Sequence, residues 1–515
     1  MKEVDLTNMK LIALNEQYPQ DWVRTITHIA NLFFEDSKVA KKEQEVDLKA
    51  TFTYQTDTSY GVHATCELID VATGATFHTS FDQAYDTEGT PREQNIRLKR
   101  AVSYVLLEAL EQLTDMHQKW GILTGIRPTK LYHKFRKEGL SKEAIREKLV
   151  TEFRLSHEKI DLLERIVAVQ LRTIPDLDTI GEEVSIYIGI PFCPTKCAYC
   201  TFPAYAIQSN RKQGRVNTFL DGLHIELERM GAWLTENDMK ITSIYWGGGT
   251  PTSIEADEMD ALYETMYKAF PHPETIREVT VEAGRPDTIT SEKLAVLRKW
   301  GIDRISVNPQ SYTDETLKAI GRHHTVQETI DKFWLAREEG MNNINMDLII
   351  GLPNEGIEEF EHSLAESEKM MPESLTVHTL SFKRASEMTH NRDKYKVADR
   401  KTAEAMMHRA HEWTDEHGYT PYYLYRQKNI LGNLENVGYS KPGEESIYNI
   451  VIMEEVQTII GIGCGASSKF VDAKTGRITQ HHNPKEPAAY IMTYEDAIEK
   501  KIEILNELYG KKVQK

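Results

Sequence analysis

The sequence predicts an α/β protein organised around an open, TIM-like partial barrel of six β/α units. Six short apolar segments recur between residues 185 and 380, and a helical pattern separates each from the next. Strands that alternate with helices form a parallel sheet with right-handed crossovers. The residues before this region follow a different pattern and predict a small α+β domain, and those after it predict a mixed domain.

The N-terminal region contains a strand meander followed by helices. Residues 47–82 alternate Thr, Val, Tyr and Phe with other residues, and Asp and Gly turn signals bound the runs. Helical patterns follow at about 94–113, 141–153 and 156–171. Residues 173–183 contain Pro175, Gly181 and several acidic side chains, which is typical of a linker. We therefore assign residues 1–172 to the N-terminal domain.

The barrel region, residues 184–400, begins after this linker. Its predicted strands are SIYIGI (185–190), ITSIYW (241–246), EVTVEA (278–283), RISVN (304–308), NINMDLII (343–350) and SLTVHTL (374–380). Six units are fewer than the eight of a closed TIM barrel, so we favour a partial barrel, with a doubly wound sheet as the alternative. In either architecture the chemistry lies at the carboxyl ends of the strands. Residues 401–515 mix helices with shorter strands and form the predicted C-terminal covering domain.

Composition limits the classes of function. The chain has 515 residues and a formal net charge of −17, which argues against nucleic-acid binding because that binding depends on a basic field. No window approaches the roughly 18 uninterrupted apolar residues of a spanning helix. The first residues lack a basic flank followed by an apolar run, so we expect a cytoplasmic protein without a membrane span.

Three of the five cysteines are crowded into the segment GIPFCPTKCAYCTF, directly after the first barrel strand. Cys193, Cys197 and Cys200 have the spacing C-x3-C-x2-C, and three thiolates on a loop can hold a four-iron cluster with one open iron. The alternative is a zinc site, but structural zinc normally has four protein ligands. A fourth would have to come from His224 or a more distant residue. The spacing favours an iron–sulfur cluster.

Further polar groups follow the later strands. The turn YWGGGTPT places Gly248, Gly249 and Thr250 after the second strand, and its glycines permit a ligand to approach the backbone closely. Glu282, Gln310, Arg322 and Asp347 come at or near the ends of later strands. A buried carboxylate needs a partner. One interpretation pairs Glu282 and Asp347 with Arg285 or Arg322, and the other assigns them to a bound cofactor.

The cysteine loop resembles that of the radical S-adenosylmethionine (SAM) superfamily, with Tyr199 as the aromatic residue before the third cysteine. The resemblance implies a [4Fe–4S] cluster on Cys193, Cys197 and Cys200. It also implies that the open iron binds SAM and that SAM cleavage yields a 5′-deoxyadenosyl radical. The protein would then supply placement and exclusion of water, while the cofactors carry the radical chemistry.

The segments YIGIPFC, GGGTPT, VEAGRPD, SVNPQS, GRHH and MDLIIGLP together are similar to the oxygen-independent coproporphyrinogen III oxidase group. The N-terminal stretch WGILTGIRPTKLYHK resembles the HemZ-type branch, described as coproporphyrinogen III dehydrogenases. The resemblance implies that two propionates of coproporphyrinogen III are decarboxylated to vinyl groups, giving protoporphyrinogen IX in haem biosynthesis. It also implies a low-potential electron donor such as flavodoxin or ferredoxin, and Ser381 is a further candidate contact. The positions that match the family's SAM contacts are Tyr187, Tyr199, Gly248, Gly249, Thr250, Glu282, Gln310, Arg322 and Asp347.

Two positions depart from the best-known oxidases. Phe202 stands where they have a further cysteine, and Gly189 stands where they have a histidine. These departures keep open a haem-binding chaperone and another radical SAM enzyme that modifies a tetrapyrrole, such as a methyltransferase. The basic candidates for binding substrate carboxylates are Lys383, Arg384, Arg426 and Lys428.

Overall fold

The computed structural model describes residues 10–14, 22–34, 36–40, 45–56, 60–125, 127–382, 386–391, 394–428 and 430–510. The chain forms two compact units, Met1–Glu164 and Arg165–Lys515. None of the helices in the described residues combines the length and the apolar character that crossing a membrane requires.

The first unit is a five-stranded sheet with helices. Its strands are β1 (Lys10–Leu14), β2 (Ser37–Val39), β3 (Leu48–Thr56), β4 (Val62–Asp70) and β5 (Thr76–Gln83), in the order β2-β1-β3-β4-β5. Its helices are α1 (Val23–Ala30), α2 (Pro91–Thr114), α3 (Pro128–Lys137) and α4 (Lys142–Phe153), and α5 (His157–Thr173) begins here. Thr90 and Glu93 form a capping box and Pro91 opens the first turn, which explains where α2 begins.

The second unit contains an eleven-stranded sheet. Its strands are β6 (Val184–Ile190), β9 (Ile241–Gly248), β10 (Glu278–Glu282), β11 (Arg304–Ser306), β12 (Ile344–Ile350), β13 (Ser374–Thr379), β14 (Thr420–Tyr425), β15 (Asn436–Ser440), β16 (Thr458–Gly463), β17 (Ser467–Val471) and β18 (Ile478–His482), and a separate pair is β7 (Phe192–Cys193) with β8 (Tyr205–Ala206). The strand order is β14-β15-β13-β12-β11-β10-β9-β6-β16-β17-β18. From β6 to β13 all neighbours are parallel.

Helices connect these parallel strands and bury the sheet. They are α6 (Ile207–Lys212), α7 (Arg215–Glu236), α8 (Ala256–Ala269), α9 (Ser291–Lys299), α10 (Asp314–Ala319), α11 (Val326–Glu338) and α12 (Ile357–Met370), followed by α13 (Glu387–His390), α14 (Arg400–Glu416), α15 (Ile447–Glu454) and α16 (Pro487–Tyr509). Every residue of β6 except Tyr187 is buried. A strand covered on both faces is nearly continuously apolar, and in β6 the buried polar Ser185 is satisfied by hydrogen bonds with Ser243 and Gln457.

The predicted α/β class and the six barrel strands are confirmed, each within a few residues of its predicted bounds. Several elements were not predicted, among them the helices α1 and α3 and the strand pair of β7 with β8. The short strands β1 and β2 join the N-terminal sheet, and β16 adds a further parallel strand beside β6. Within the described residues the sheet does not close, since it ends at β14 and β18. The division into three domains at residues 172 and 400 remains a prediction.

A buried ion pair holds the C-terminal helix α16 to the sheet of the second unit. Lys501 pairs with Glu226 of α7, and both side chains are fully buried. Glu226 also accepts hydrogen bonds from the backbone N–H of Gly463 at 2.8 Å and from the Tyr490 hydroxyl at 2.5 Å. One carboxylate therefore joins α7, β16 and α16.

Candidate functional site

The predicted site residues converge on one cavity of about 600 Å³ in the second unit. Its lining includes all three loop cysteines and every residue that the sequence assigned to SAM: Tyr187, Cys193, Cys197, Tyr199, Cys200, Gly248, Gly249, Thr250, Glu282, Gln310, Arg322 and Asp347. The carboxyl ends of neighbouring parallel strands lie at one edge of a sheet, which explains why distant motifs meet here. Their roles remain predictions.

The cysteine loop leaves β6 and returns through a short strand pair, β7 with β8. Cys193 is buried, and its Sγ lies 3.3 Å from Thr250 Oγ1. Burial raises the pKa of Cys193 to about 11, against the hydrogen bond with Thr250. The thiol form is thus favoured in the protein alone, and a bound cation would favour the thiolate that a cluster requires.

Two buried arginines, Arg285 and Arg322, lie beside the cysteine loop. Arg285 donates to the carbonyl oxygen of Thr195 at 3.2 Å and to its hydroxyl at 3.1 Å, and its Nη1 lies 3.9 Å from Cys197 Sγ. Burial opposes the charge of Arg322, but neighbouring Tyr199 and Cys197 raise its pKa above the usual value. Two guanidinium groups therefore lie close to Cys197.

The glycine-rich turn packs against this loop. The N–H groups of Gly249 and Thr250 donate to the carbonyl oxygens of Ile190 (2.7 Å) and Phe192 (2.8 Å). A Cβ on Gly249 would lie 2.5 Å from the Phe192 carbonyl oxygen, and one on Gly248 would lie 2.8 Å from that of Ile190. The sequence suggested that these glycines make room for a ligand. The structure gives a further reason for glycine here, because a side chain would clash with the segment from Ile190 to Phe192, and the contact with a ligand stays a prediction.

The two predicted carboxyl groups have different partners. The Tyr245 hydroxyl donates to Glu282, and burial raises the pKa of Glu282 to about 7, with the nearby charge of Asp347 adding to the shift. Asp347 accepts from Asn345 Nδ2 at 2.8 Å and lies 3.5 Å from His378 Nε2. Burial would raise the pKa of Asp347, but His378 and Asn345 hold it below its usual value.

The interpretation that Glu282 and Asp347 pair with Arg285 or Arg322 is therefore wrong. Arg285 pairs with Asp287 at 2.9 Å instead. Arg322 donates to the carbonyl oxygens of Asn308 (2.7 Å) and Gly284 (3.3 Å).

Gln310 occupies an unusual backbone conformation at the cavity. Its φ of 66° is in the left-handed region, which is costly for a residue other than glycine. Its N–H donates to the carbonyl oxygen of Asp347 at 2.9 Å, and its own carbonyl accepts from Ile349 N–H at 3.0 Å. The side-chain Oε1 is buried and has no hydrogen-bond partner among the described residues. Two hydrogen bonds to strand β12 thus hold the main chain of Gln310 in place, and its side-chain oxygen is left as an acceptor for a ligand.

None of the four basic residues predicted to bind substrate carboxylates is among the residues that line the cavity in the described part of the chain. Lys383 and Arg384 lie outside the described residues. Arg426 is buried and donates to Asn433, and it is not among the residues that line the cavity. The carbonyl of Lys428 accepts a 2.9 Å hydrogen bond from Ser381, the weaker SAM candidate, which does line the cavity. Basic side chains that the sequence did not single out also line it, namely Arg304, His378 and Lys469.

Several other lining residues were missed. Tyr245 and Tyr448 were not predicted, and they pack against the predicted Tyr187 with ring centroids 4.5–6.4 Å apart. Tyr448 comes from α15, whose N-terminus is held by the buried carboxylate of Glu278 through Ile447 N–H at 2.7 Å. Tyr448 is more than 200 residues from Tyr245 in the sequence, so no local sequence pattern could predict that it lines the cavity. Ser306 and Asn308 could have been found, because polar and apolar residues alternate along RISVN.

The zinc alternative was tested on the same residues. No three His, Cys, Asp or Glu side chains in the described ranges are grouped to hold a single metal ion. The suggested fourth ligand, His224, hydrogen-bonds Thr265 at 2.8 Å instead and is not a lining residue of the cavity. Cluster thiolates bind different iron atoms, so they need not converge on one point. The three thiols lining one cavity, with an unpartnered acceptor nearby, fit an iron–sulfur cluster and a polar cofactor.

Comparison with known proteins agrees with this chemistry. A family model described as the radical SAM superfamily matches residues 187–366. The chain is 60% identical over 491 residues to the oxygen-independent coproporphyrinogen-III oxidase-like protein HemZ of Bacillus subtilis, covering 95% of this chain and 96% of that protein. It is 29% identical over 309 residues to the heme chaperone HemW of Haemophilus influenzae, covering 60% of this chain and 76% of the chaperone.

A solved structure is also similar. Coproporphyrinogen III oxidase (HemN) from Escherichia coli matches with a TM-score of 0.49 and 20% identity, covering 63% of this chain and 72% of the oxidase. With the matched domain, the cysteine loop defines a radical SAM protein, a class that implies a [4Fe–4S] cluster and SAM. Within this superfamily, the chain belongs to the family of HemZ-type, oxygen-independent coproporphyrinogen-III oxidase-like proteins.

Proposed function

We propose that this protein is an oxygen-independent coproporphyrinogen III oxidase, a SAM-dependent coproporphyrinogen dehydrogenase. It would convert two propionates of coproporphyrinogen III to vinyl groups and form protoporphyrinogen IX. In each conversion a hydrogen atom would pass from the β-carbon to the 5′-deoxyadenosyl radical, carbon dioxide would leave, and the remaining electron would pass to an electron acceptor. The observation that carries the proposal is the convergence of every cluster and SAM candidate on one cavity, in a chain 60% identical to HemZ.

Cys193, Cys197 and Cys200 would hold the cluster, and an iron without a protein ligand would be left for SAM. The residues proposed to bind SAM are Tyr187, Tyr199, Gly248, Gly249, Thr250, Glu282, Gln310, Arg322 and Asp347. When bound, the cluster and SAM supply a 5′-deoxyadenosyl radical able to abstract a hydrogen atom from carbon.

The chain's own groups would bind, orient and exclude water. Arg285 holds the cysteine loop through hydrogen bonds to Thr195. Arg322 joins the segments after β10 and β11 through hydrogen bonds to the carbonyl oxygens of Gly284 and Asn308. Glu282 and Asp347 offer acceptors for the hydroxyl and amino groups of SAM. The stacked rings of Tyr187, Tyr245 and Tyr448 would form an aromatic wall that limits water near the reacting carbon.

The substrate and the electron source complete the proposal. A tetrapyrrole with several propionates needs basic partners, and His378 and Lys469 are candidates at the cavity. Reduction of the cluster would require a low-potential donor such as flavodoxin or ferredoxin.

A heme chaperone is the second candidate, because two positions depart from the best-known oxidases. A Cβ on Gly189 would lie 2.8 Å from the carbonyl oxygen of Cys464, so this site does not accommodate the histidine of the best-known oxidases without a shift. Phe202, at the position of their further cysteine, is 58% exposed. HemW chaperones are among the relatives. This candidate predicts tight haem binding without a vinyl product.

The test is turnover under strict anoxia. The cluster is reconstituted, and SAM, a low-potential reductant and coproporphyrinogen III are added. Protoporphyrinogen IX formed in step with 5′-deoxyadenosine supports the oxidase. Deoxyadenosine with unchanged tetrapyrrole contradicts it. S-adenosylhomocysteine would indicate a methyltransferase, and haem binding without turnover would indicate the chaperone.

A further inference from the structure

Strand β11 and the residues directly after it carry polar side chains that line the cavity. The first of these, the buried Arg304, donates to Asn343 Oδ1 at 3.0 Å, to the Glu444 carbonyl at 3.0 Å and to Asn345 Oδ1 at 3.2 Å. It also donates to Ser374 Oγ. Arg304 is therefore satisfied by protein hydrogen bonds, as expected for a polar group inside a protein.

The next polar residues of the same chain segment are not satisfied. Ser306, Asn308 and Gln310 alternate with apolar residues, line the cavity, and are 6%, 8% and 6% exposed. Ser306 Oγ, Asn308 Oδ1 and Gln310 Oε1 are buried, yet none has a hydrogen-bond partner in the described part of the chain. A buried polar atom without a partner is unfavourable. The change from satisfied to unsatisfied atoms marks where protein contacts end and ligand contacts begin.

Asn308 is the central member of this set, and its position is well defined. Its carbonyl oxygen accepts the 2.7 Å hydrogen bond from Arg322, which fixes the main chain. A Cβ on Gly284, in the next strand-end loop, would lie 3.1 Å from Asn308 Nδ2, so the absence of a side chain there leaves room for the amide. The sequence motifs assigned no role to Asn308.

The neighbouring acceptors indicate which ligand group the amide oxygen meets. Ser306 pairs in register with Glu282, and Gln310 N–H donates to the carbonyl of Asp347, so Asn308 lies between two strands that carry carboxyl groups. The unpartnered oxygens of Ser306, Asn308 and Gln310 are matched by a ligand that is rich in hydrogen-bond donors. SAM offers an ammonium group, ribose hydroxyls and an adenine amino group.

We propose that Asn308 is a further SAM-binding residue, whose amide oxygen accepts a hydrogen bond from a hydroxyl or amino donor of SAM. This inference rests on the proposed binding of SAM in this cavity. Ser306, two residues before Asn308 in the sequence, would contact the same ligand through its Oγ.

The experiment compares two variants of the reconstituted full-length protein. Asn308→Leu keeps the approximate shape and removes the acceptor, and Asn308→Asp keeps the acceptor. We expect both to retain the iron content of the wild type. The dissociation constant for SAM, measured without tetrapyrrole, should rise about tenfold in Asn308→Leu. It should change less than about threefold in Asn308→Asp and in Asn342→Ala, an exposed control after α11.

Thermal unfolding without SAM separates this role from a structural one. Asn308→Leu removes a buried, unpartnered atom, so its midpoint should equal or exceed that of the wild type. A lower midpoint would make Asn308 structural and overturn the inference. An unchanged SAM dissociation constant would also overturn it, as would a raised KM for the tetrapyrrole alone. If the wild type bound no SAM, the proposed function would fail as well, whereas wild-type turnover with normal SAM binding in Asn308→Leu refutes only this inference.

Discussion

At the scale of single residues, Glu282 and Asp347 behave as two different carboxyl groups in one cavity. Asp347 lies against His378 and Asn345, which favour its charged form. Glu282 is buried beside the Tyr245 hydroxyl and close to the charge of Asp347, and its pKa is raised to about 7. Two carboxyl groups with different environments take different protonation states at the same pH.

The raised pKa of Glu282 predicts a pH-dependent stability. Between its ordinary value of 4.5 and about 7 the folded state binds more protons than the unfolded state, so the unfolding free energy falls as pH rises. Glu282→Gln should remove this loss. The unfolding free energy of the variant minus that of the wild type should therefore be larger at pH 8 than at pH 4, by on the order of 2–3 kcal/mol.

Denaturant unfolding at both pH values measures this difference. Glu338→Gln, at an exposed position of α11, is the control and should follow the wild type at each pH. A constant difference between Glu282→Gln and the wild type would mean that Glu282 has an ordinary pKa.

The loop thiols make a second prediction for single residues. Cys197→Ala should abolish the visible absorbance of the cluster and all SAM cleavage while the chain stays folded, because two thiolates remain for a site that needs three. Cys66→Ala is the matched control, since Cys66 is buried in the first unit and does not line the cavity. The Cys66→Ala protein should have the same iron content as the wild type. Unchanged iron content in Cys197→Ala would remove the basis for the cluster.

At the scale of elements, the turn after β9 and strand β16 hold the segment that leads into the cysteine loop. The turn after β9 donates two main-chain hydrogen bonds to the segment from Ile190 to Phe192. On the other side of β6, strand β16 pairs in register from Thr458 to Gly463. A Cβ on Gly463 would lie 2.4 Å from the Gly189 carbonyl oxygen, so this pairing requires glycine.

The buried pair of Glu226 and Lys501 should be essential for the placement of β16. Lys501→Met removes one charge and leaves the other buried, which should lower the unfolding free energy by about 3–5 kcal/mol. Chemical denaturation measures the loss. The double variant Glu226→Gln with Lys501→Met should be more stable than Lys501→Met alone, because no unpaired charge remains. An equal or larger loss in the double variant would contradict this account.

At the scale of the whole molecule, each of the two units contains apolar cores built from its own residues. The first contains a cluster that includes Trp22, Phe52 and Leu106. The second contains separate clusters, one around Ile459 and another around Leu352. A core of this kind allows a unit to unfold cooperatively by itself.

We therefore predict two thermal transitions for the holoprotein. SAM at about 100 times its dissociation constant should stabilise only the unit that holds the cavity, by about 2.7 kcal/mol. Thiol labelling during heating assigns the transitions, since Cys66 is buried in the first unit and Cys464 in the second. A single transition that SAM shifts as a whole would show that the units unfold together.

Local patterns predicted much of the architecture and the candidate site. The apolar strands of the barrel could be read because strands buried on both faces are continuously apolar. The cysteine loop could also be predicted locally, because its three cysteines lie within eight residues of one another in the sequence. The strands β1 and β2 were missed because they are short and lack a clear alternation, and β16 was missed because its pairing with β6 joins residues far apart in the chain.

The sequence by itself determined the fold class, the thiol set and the polar strand ends, since each depends on the type and spacing of nearby residues. Only the tertiary structure decided how these groups are paired. It placed Glu282 against Tyr245 rather than an arginine, explained the glycines of the turn by the approach of another loop, and brought Tyr448 to the cavity. Burial and hydrogen bonding depend on groups that only folding brings together, so no local pattern records them.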